Sequence, residues 1–401
     1  MRVLTLSSLF PNRVQPVHGI FVYQRVAQLA RRPGNEVHVI APAPYFPRWL
    51  PTRRWKAEAQ MPLEERIGGL NVYHPRYPLL PRISMPLHGL LLFLGIRRLA
   101  KRLHKQVRFD CIDAHFVYPD GFAAVLLGKM LRLPVVVSAR GTDINLYPSF
   151  RLIRPMIRWT LRRASGAVAV SASLLNVMLG LGLEAKKGCV IGNGIDPQRF
   201  HSVDPLEARA RLGLPERAKI IVSVGALIPR KGFHFLIPSV AEIAPRFPGL
   251  RLYILGEGEF RAPLEKLLAD YKLQGSVFLP GSKPNEDLRD WFSAADLSCL
   301  VSSREGWPNV IQESLACGTP VLATRLWGAP EIIVSDELGL LVAQEKDAIS
   351  AGLEAALKKN WDRKFIAAHA GKRTWETVAR EVEEFLVSRI SDFSSVLPGQ
   401  K

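Results

Sequence analysis

The sequence predicts two doubly wound α/β domains in tandem. Short apolar runs of strand length alternate with amphipathic segments of helix length along the whole chain. The runs are rich in Val, Ile and Leu without regular polar alternation, which is typical of parallel strands covered on both faces. The same alternation restarts after a cluster of Asn, Gly, Asp and Pro at residues 192–197, where we expect a linker. The length of 401 residues also favours more than one domain.

We therefore predict an N-terminal domain over residues 1–192, a second domain over 193–372, and a C-terminal helix within 373–401 that packs back on the first domain. The strands of the first domain are expected at residues 2–7, 36–41, 71–73, 111–114, 134–138 and 167–171, and its helices at 20–32, 86–106, 121–132 and 151–164. The strands of the second domain are expected at 220–224, 251–255, 277–279, 297–301 and 321–324, and its helices at 233–244, 263–271, 286–294 and 309–316.

The composition indicates a folded chain with large apolar cores. Hydrophobic residues make up 48% of the sequence, and the longest apolar run, about residues 85–96, is too short to span a bilayer. The start MRVLTLSSLF is better explained as a buried strand than as a signal peptide. The four cysteines are widely spaced and form no metal-binding pattern, so we expect reduced core residues in a cytoplasmic protein.

The positive charge lies in the first half of the chain. Residues 1–190 carry 28 Lys and Arg against 9 Asp and Glu, whereas residues 191–401 carry 26 against 27. Such a basic face suits nucleic acid, anionic lipid or an anionic substrate. Alternatively, it is an ordinary solvated surface.

Two glutamates eight positions apart suggest a ligand site. Glu305 follows a predicted strand in a Gly and Pro turn, at the edge of a parallel sheet where ligands bind. Pro308 and Asn309 then open a helix, and Glu313 lies one turn inside it. Because a carboxylate can accept from two vicinal hydroxyls, the pair suits a ribose and a second sugar. Alternatively, the two are a helix cap and a surface residue.

The surrounding residues resemble the second-domain signature of retaining glycosyltransferases of family 4, which have the GT-B fold. The resemblance covers most of the chain and rests on the motifs Glu305-Gly-x-Pro-Asn-x-x-x-Glu313, Val224-Gly225-Ala226-Leu227 with Arg230-Lys231-Gly232, Leu255-Gly256-Glu257-Gly258, Ala329-Pro330-Glu331, Asp113-Ala114-His115 and Gly141-Thr142-Asp143. It implies two Rossmann-like domains that face an interdomain cleft, and a nucleoside-diphosphate sugar as donor.

The resemblance also implies a role for each matching residue. Glu313 would hold the ribose hydroxyls, Glu305 the transferred sugar, and Lys231 would neutralise the diphosphate leaving group. His115 would face the cleft near the reacting carbon, unless it is a satisfied structural residue. The expected catalytic residues are His115, Lys231 and Glu305, and the expected donor-binding residues are Gly19, Asn193, Arg230, Lys231, Glu257, Glu305, Gly306, Pro308, Asn309, Val310 and Glu313.

The acceptor is expected to contact Gly141, Thr142 and Asp143, although Asp143 is an equally good cap for the helix that follows. Two departures from the family pattern affect the diphosphate site. Ala226 stands where the family usually has Arg, and Arg230 is a candidate substitute for that charge. The sequence has His18 before Gly19 where the family often has two glycines, which changes the loop.

No Asp-x-Asp motif occurs in the sequence, so we expect no metal and no cofactor beside the nucleotide sugar. Lys231, Arg230 and helix N-termini would supply the charge that a metal supplies elsewhere, unless the two basic residues form only an exposed turn. No carboxylate is placed as a nucleophile at a first-domain strand end. This pattern fits front-face retention, in which the leaving phosphate deprotonates the acceptor.

Two basic segments raise the question of a membrane. Residues 86–106 read PLHGLLLFLGIRRLAKRLHKQ, and residues 151–163 read RLIRPMIRWTLRR. We predict that the apolar part of the first packs in the core, and that the second lies at an anionic lipid surface. Alternatively, both are core-packed helices with a solvated basic face. The predicted location is the cytoplasm, peripheral on the inner face of the plasma membrane.

The sequence thus favours a retaining, metal-independent hexosyltransferase that passes a sugar to a glycolipid or a growing saccharide in cell-surface polysaccharide or glycan synthesis. One rival is a nucleotide-sugar epimerase of the same fold, which would need more acid and base groups around the sugar. A second is a basic nucleic-acid-binding protein. We expect no nucleic acid as partner, because the aromatic platforms of single-strand binders are missing and the glutamate pair would be unexplained.

Overall fold

A computed structural model describes residues 1–45, 60–79 and 85–396. The chain divides into two compact units, residues 1–193 with 375–401, and residues 194–374. Residues 397–401 of the predicted C-terminal segment lie outside the described part.

The first unit is built on an eight-stranded sheet in the order β10-β9-β8-β7-β1-β2-β5-β4. Only β4 is antiparallel, at one edge, and β3 pairs with β6 in a separate small sheet. The strands are β1 (Arg2–Ser7), β2 (Glu36–Ile40), β3 (Ala43–Tyr45), β4 (Glu64–Ile67), β5 (Leu70–Tyr73), β6 (Arg76–Pro78), β7 (Cys111–His115), β8 (Val135–Ala139), β9 (Gly166–Ala169) and β10 (Gly188–Val190).

Helices cover the sheet of the first unit, and one of them comes from the far end of the chain. The last helix presents Val378, Val382 and Leu386 at a helical spacing, and these pack with Val22 and Val26 in one buried core. The helices are α1 (Ile20–Arg31), α2 (His88–Val107), α3 (Phe122–Leu131), α4 (Thr142–Asn145), α5 (Arg154–Arg163), α6 (Ala172–Gly180) and α15 (Trp375–Val396).

The second unit has a six-stranded, fully parallel sheet in the order β13-β12-β11-β14-β15-β16. Its strands are β11 (Ile220–Val224), β12 (Arg251–Leu255), β13 (Val277–Phe278), β14 (Leu297–Leu300), β15 (Val321–Thr324) and β16 (Gly339–Val342). Its helices are α7 (Pro205–Leu212), α8 (Phe233–Ile243), α9 (Arg261–Asp270), α10 (Leu288–Ala294), α11 (Asn309–Ala316), α12 (Ala329–Ile332), α13 (Lys346–Lys358) and α14 (Arg363–Ala370).

Both large sheets are doubly wound, as predicted. In the first, the chain proceeds from β1 toward one edge and then from β7 toward the other, so the order reverses between β1 and β7. In the second, the reversal lies between β11 and β14. Ligands bind beside the carboxyl ends of the strands at such a reversal. The loops after β1, β7, β11 and β14 are therefore the expected ligand-binding loops.

The structure corrects the prediction for helix α2. We expected its apolar part in the core, but the apolar residues divide between two faces of the helix. Leu92 and Ile96 are fully buried. Leu87, just before the helix, and Leu90 and Leu94 within it are 43–54% exposed, on the same side as the basic residues that follow. None of the helices over the described ranges is both long enough and apolar enough to cross a bilayer.

Candidate active site

Three charged side chains meet beside the point where the second sheet reverses. The loop after β11 forms one turn of 3-10 helix, Pro229–Lys231, and presents Lys231. The loop after β14 presents Glu305, whose Oε1 lies 2.7 Å from Lys231 Nζ. Arg230 Nη1 lies 3.3 Å from the other carboxyl oxygen of Glu305. Since β11 and β14 are neighbours, the fold brings together two positions that are 74 residues apart.

Glycines allow these loops to pack closely. The Lys231 side chain crosses Gly225, where a Cβ would lie 3.0 Å from Lys231 Cε. Gly232 has a φ of +73° and lies against the carbonyl group of Val301, which leaves no room for a side chain. Ser303 donates its backbone N–H to the Arg230 carbonyl oxygen at 2.9 Å, which ties the two loops together. The position of Lys231 relative to Glu305 is therefore held by backbone contacts.

The charge state of Glu305 follows from its neighbours. Its side chain is 17% exposed, against 12% for Lys231 and 33% for Arg230. Burial alone would raise the pKa of Glu305, but attraction to Lys231 and Arg230 outweighs burial and lowers it. Glu305 is thus an ionised carboxylate at neutral pH, shared by two cations.

Glu313 lies in the second turn of helix α11, in a different electrostatic environment. No hydrogen bond to its carboxyl group comes from the parts of the chain that the structure describes. Burial raises the pKa of Glu313 to about 7, with weak opposition from Arg199. The site therefore has one carboxylate that is already neutralised by cations and one that is open to a new partner.

The segment between the two glutamates forms a tight turn into α11. Pro308 precedes the first helical residue, Asn309, and Trp307 donates its ring N–H to Gln312 Oε1 at 3.0 Å. Gly306 is buried and lies next to Gly328, at the start of the turn into α12. Val310 packs against the core of this unit. These contacts fix the direction of the helix that carries Glu313.

Glu257 follows the neighbouring strand β12 and is more exposed. Its side chain is 56% exposed, and Oε1 lies 3.3 Å from Arg261 Nη1. The carboxyl group also lies over Gly281, where a Cβ would be 2.8 Å from Oε1. Glu257 thus lies at the same edge of the sheet as Lys231 and Glu305, one strand away.

In the first unit, His115 lies where predicted along the chain, at the end of β7, but not in the predicted setting. The imidazole has no exposed area. Its Nδ1 is 2.8 Å from Arg140 Nη2, and its Nε2 is 3.2 Å from Asp113 Oδ2, without the geometry of a hydrogen bond. Burial lowers the pKa of His115 to about 3, so the ring is neutral at physiological pH. The imidazole is thus buried and neutral in this structure, and its role near the reacting carbon stays a prediction.

Arg140 was missed by the sequence reasoning, although it immediately precedes Gly141. The guanidinium donates through Nη1 to Asn193 Oδ1 at 3.0 Å and through Nη2 to His115, while it lies 5.7 Å from the ring centre of Phe21. Because Arg donates only, His115 Nδ1 must accept, and the ring proton belongs on Nε2. Arg140 therefore fixes the tautomer of His115 and links it to Asn193.

A second buried arginine completes this network. Arg25 extends from α1 into the sheet, where it binds both carboxyl oxygens of Asp113 at 3.1 and 3.2 Å and donates to Ser138 at 2.9 Å. Burial would raise the pKa of Asp113, but Arg25 together with His115 and Arg140 outweighs burial and holds the pKa well below its usual range. Arg25 was not singled out in the sequence, where nothing distinguishes it from other charged residues of a predicted amphipathic helix.

The predicted acceptor residues form the start of the short helix α4. Asp143 is fully buried and accepts from three backbone N–H groups, those of Val117, Arg140 and Gly141, at 2.8–3.1 Å. Asp143 lies inside the helix and does not cap it, so the predicted capping role is wrong. Its carboxylate instead anchors the loop that carries Arg140, and the acceptor role stays a prediction. Thr142, the first residue of α4, is exposed.

The loop after β1 shows why Gly19 is needed. Gly19 has a φ of +64° as the N-cap of α1, and its Cα lies against the carbonyl of Leu9. Nearby, the buried Asp120 accepts from the backbone N–H of Ser8 at 2.6 Å and from its hydroxyl at 2.8 Å. Burial raises the pKa of Asp120 to about 7. Asp120 joins the loops after β1 and β7 and was not predicted as a functional residue.

No cluster of three or more His, Cys, Asp or Glu suited to a metal ion occurs among the described residues. The structure thus brings together Lys231, Arg230 and Glu305 in the second unit, and His115, Arg140 and Asn193 in the first. The roles assigned to these residues from the resemblance stay predictions.

Two family profiles together match most of the chain. The profile described as Glycosyltransferase Family 4 matches residues 19–199, and the profile described as Glycosyl transferases group 1 matches residues 205–373. The match boundaries coincide closely with the two units.

Known proteins of similar sequence and structure give the same result. The putative teichuronic acid biosynthesis glycosyltransferase TuaC of Bacillus subtilis is 27% identical over 370 residues, which is 88% of each chain. Sucrose-phosphate synthase from Thermosynechococcus elongatus superposes with a TM-score of 0.77 over 98% of this chain and 100% of that one, at 20% identity. HepE of Anabaena, in complex with UDP, superposes with a TM-score of 0.74 over 97% and 100%, also at 20% identity. The two structural matches show the fold, which is GT-B.

Proposed function

The chain belongs to glycosyltransferase family 4, and from this premise we propose that it is a retaining hexosyltransferase in cell-surface polysaccharide or glycan synthesis. The observation that supports this most is the cluster of Lys231, Arg230 and Glu305 beside the reversal of the second sheet. The cluster places two cations, which suit a diphosphate, beside one carboxylate, which suits sugar hydroxyls. The name of the relative TuaC, a putative glycosyltransferase of teichuronic acid biosynthesis, supports a polysaccharide product.

The proposed donor is a nucleoside-diphosphate sugar. Glu313, whose carboxyl group has no hydrogen-bond partner over the described residues, would bind the two ribose hydroxyls. Lys231 and Arg230 would turn from Glu305 toward the diphosphate, and Glu305 would then accept from hydroxyls of the sugar. Arg230 lies 3.3 Å from the Glu305 carboxylate. From there its charge would replace that of the Arg that the family usually has where this chain has Ala226.

The proposed reaction proceeds on one face of the donor sugar. The bond between the anomeric carbon and the diphosphate oxygen breaks, and the acceptor oxygen bonds to the same face. The acceptor proton passes to the departing phosphate oxygen, so no enzyme nucleophile is required. The negative charge that grows on the diphosphate is stabilised by Lys231 and Arg230, which supports a metal-independent reaction.

In the first unit, the neutral His115 is proposed to act near the reacting carbon through its Nε2–H, with Nδ1 held by Arg140. Because the imidazole has no exposed area, a sugar can reach Nε2–H only after a local movement of the loops around it. The segment of Gly141 and Thr142 is the proposed acceptor contact. The proposed acceptor is a lipid-linked or free saccharide.

The basic face of the first unit supports a position at an anionic membrane surface. Helix α5 buries Ile157 and Leu161 and leaves Arg154, Arg158 and Arg162 exposed. No carboxylate of the described residues pairs with these three cations. An anionic leaflet attracts such a face, so the proposed location is the inner side of the plasma membrane, without nucleic acid as partner.

A donor screen tests the proposed function. The purified chain is incubated with UDP-, GDP- and ADP-hexoses, and both thermal stabilisation by the nucleotides and slow hydrolysis without acceptor are measured. One nucleotide should raise the melting temperature, and its sugar should be released as the retained anomer. Conversion of the donor into a different nucleotide sugar would favour the epimerase, and stabilisation by oligonucleotides alone would favour the nucleic-acid-binding protein.

A further inference from the structure

A groove lies at the amino-terminal edge of the first sheet, opposite the edge that carries His115. One cavity of about 600 Å³ is lined by Arg163 and Ser165, which precede β9, by Lys186 and Lys187, which precede β10, and by the last turns of α15. A second cavity of about 240 Å³ shares Arg163, Ser165 and Phe393 with the first. The two cavities are therefore neighbouring parts of one groove.

The larger cavity is strongly basic. Four cations line it, namely Arg163, Lys186, Lys187 and Arg389. Glu184 pairs with both lysines, and Asp392 pairs with Arg389 at 3.1 Å. Arg163 has no acidic partner among the residues that the structure describes, and its guanidinium instead lies 5.2 Å from the ring centre of Trp159. Cations outnumber carboxylates here, so the cavity suits an anion with several oxygen acceptors.

The smaller cavity has a mixed lining. Val125, Leu133 and Val135 provide an apolar wall, and the ring of Phe393 lies where the two cavities meet. Lys129 and Arg132 line the same cavity and also lack an acidic partner over the described ranges. A ligand that occupied both cavities would need an anionic head and a short apolar body.

We propose that this groove binds one anionic amphiphile, with a phosphate-bearing head among Arg163, Lys186 and Lys187 and an apolar part against Val125 and Phe393. The chemistry is that of an acidic phospholipid. The site does not depend on the proposed transfer reaction. It also differs from general attraction to a charged surface, because it is a discrete cavity with an apolar wall.

The groove is remote from the proposed chemistry. Strand β8 runs from Val135, in the groove, to Ala139, next to the loop of Arg140 and Gly141. Four steps of about 3.3 Å separate the two ends by roughly 13 Å. An amphiphile in the groove would therefore hold the enzyme at a lipid surface without occupying the proposed acceptor loop.

Calorimetric titration of the full chain tests the proposal. Dihexanoyl phosphatidylglycerol below its micelle concentration is compared with dihexanoyl phosphatidylcholine and with inorganic phosphate. The anionic lipid should bind one site at least tenfold more tightly than either comparison ligand. If the zwitterionic lipid bound as tightly as the anionic lipid, a role for the cations would be excluded. If inorganic phosphate bound as tightly as the anionic lipid, a role for the apolar wall would be excluded.

Two variants identify the site. Arg163→Gln with Lys187→Gln should weaken binding of the anionic lipid at least tenfold. The matched control, Arg98→Gln with Lys101→Gln on helix α2, should change it less than twofold. Ser395→Trp, an exposed change at the end of α15, should obstruct the larger cavity without disturbing the core. Wild-type affinity in both groove variants, equal loss in the control, or no saturable binding at all would overturn the proposal.

Discussion

Lys231 Nζ lies 2.7 Å from Glu305 Oε1, so the cation proposed for the leaving group is held by the carboxylate proposed for the sugar. Glu305 stays charged in a partly buried place, since the attraction of Lys231 and Arg230 outweighs the effect of burial on its pKa. The donor would separate the pair by offering a diphosphate to the cation and hydroxyls to the carboxylate. The free energy needed to separate Lys231 from Glu305 is then offset by the attraction between Lys231 and the negative charge that grows on the diphosphate as the sugar leaves.

The first prediction follows from this pair. Lys231→Ala should lower kcat by about 10²–10³-fold, in the range seen when one preorganised donor to a developing anion is removed. The donor KM should rise far less, because the interaction strengthens as the leaving group gains charge. Steady-state kinetics with the donor found in the screen measure both constants.

The control for Lys231 is Lys266→Ala on helix α9, which removes one exposed positive charge from the same unit. It should leave both constants within twofold of wild type. A normal kcat for Lys231→Ala would contradict the assignment of the leaving-group site. A rise in KM alone would make Lys231 a ground-state binding residue.

The second prediction concerns pH. An ionised carboxyl group accepts from two ribose hydroxyls more strongly than a protonated one, and burial raises the pKa of Glu313 to about 7. Donor affinity should therefore improve as the pH rises from 6 to 8. Glu313→Gln should weaken donor binding and remove this dependence. Titration of the nucleotide at several pH values gives both results, and an equal slope in wild type and variant would exclude Glu313 as its source.

The same raised pKa predicts an effect on stability. Since the folded state favours the protonated Glu313, the unfolded chain holds fewer protons between the ordinary carboxyl pKa and about 7. Folding stability is therefore lost as the pH rises through this window. Glu313→Gln should raise the Tm at pH 8 but not at pH 4. A variant that is destabilised at pH 8 would contradict the prediction, because it would show that the ionised carboxylate stabilises the fold.

The fourth prediction tests Arg140 as a positioning residue. Burial lowers the pKa of His115 to about 3, so nitrogen NMR should find a neutral ring with its proton on Nε2 from pH 5 to 9. Arg140→Leu should shift the tautomer signal and reduce kcat, with a smaller change in donor KM. The exposed Arg132→Leu is the control. An unchanged His115 signal in Arg140→Leu would contradict the proposed link.

The fold was predictable because its main signal is local. Buried parallel strands such as β1, β11 and β12 are mostly apolar runs, and their bounds agree with the prediction to the residue. Edge strands such as β10 and β16 were missed because they are short and only partly buried. Helix α7 was also missed, although Asp204 caps it and Gly213 ends it, as expected for a helix.

The candidate site was predictable only where its residues stand in a recognisable motif. Lys231 and Glu305 belong to motifs, and the fold brings them together. Arg25, by contrast, lies in an amphipathic helix where an arginine is normally solvated, and only the packing of α1 on the sheet places it beside Asp113. Arg140 depends in the same way on the loop that Asp143 anchors. Long-range pairing of buried charges leaves no periodic trace in the sequence.

The last prediction concerns the basic face of α5. Each Lys or Arg near an anionic bilayer contributes about 1 kcal/mol, and about 1.4 kcal/mol corresponds to tenfold in affinity. Replacing Arg154, Arg158 and Arg162 with Gln should therefore weaken binding to phosphatidylglycerol vesicles by roughly two orders of magnitude at low salt. Screening should reduce wild-type binding as salt rises. Co-sedimentation with vesicles measures both effects.

The matched control removes three exposed lysines from the second unit, Lys266, Lys364 and Lys372. If net charge alone governed binding, this variant would lose as much affinity as the α5 variant. We expect instead that it stays within a few-fold of wild type, because attraction to the lipid depends on cations within about a Debye length of the surface.

The exposed Leu90 and Leu94 of α2 offer an apolar contribution that survives high salt, and Leu90→Ser with Leu94→Ser should abolish that residual binding. Equal binding to neutral and anionic vesicles would contradict the electrostatic role of α5, and the soluble saccharide would then be the better acceptor.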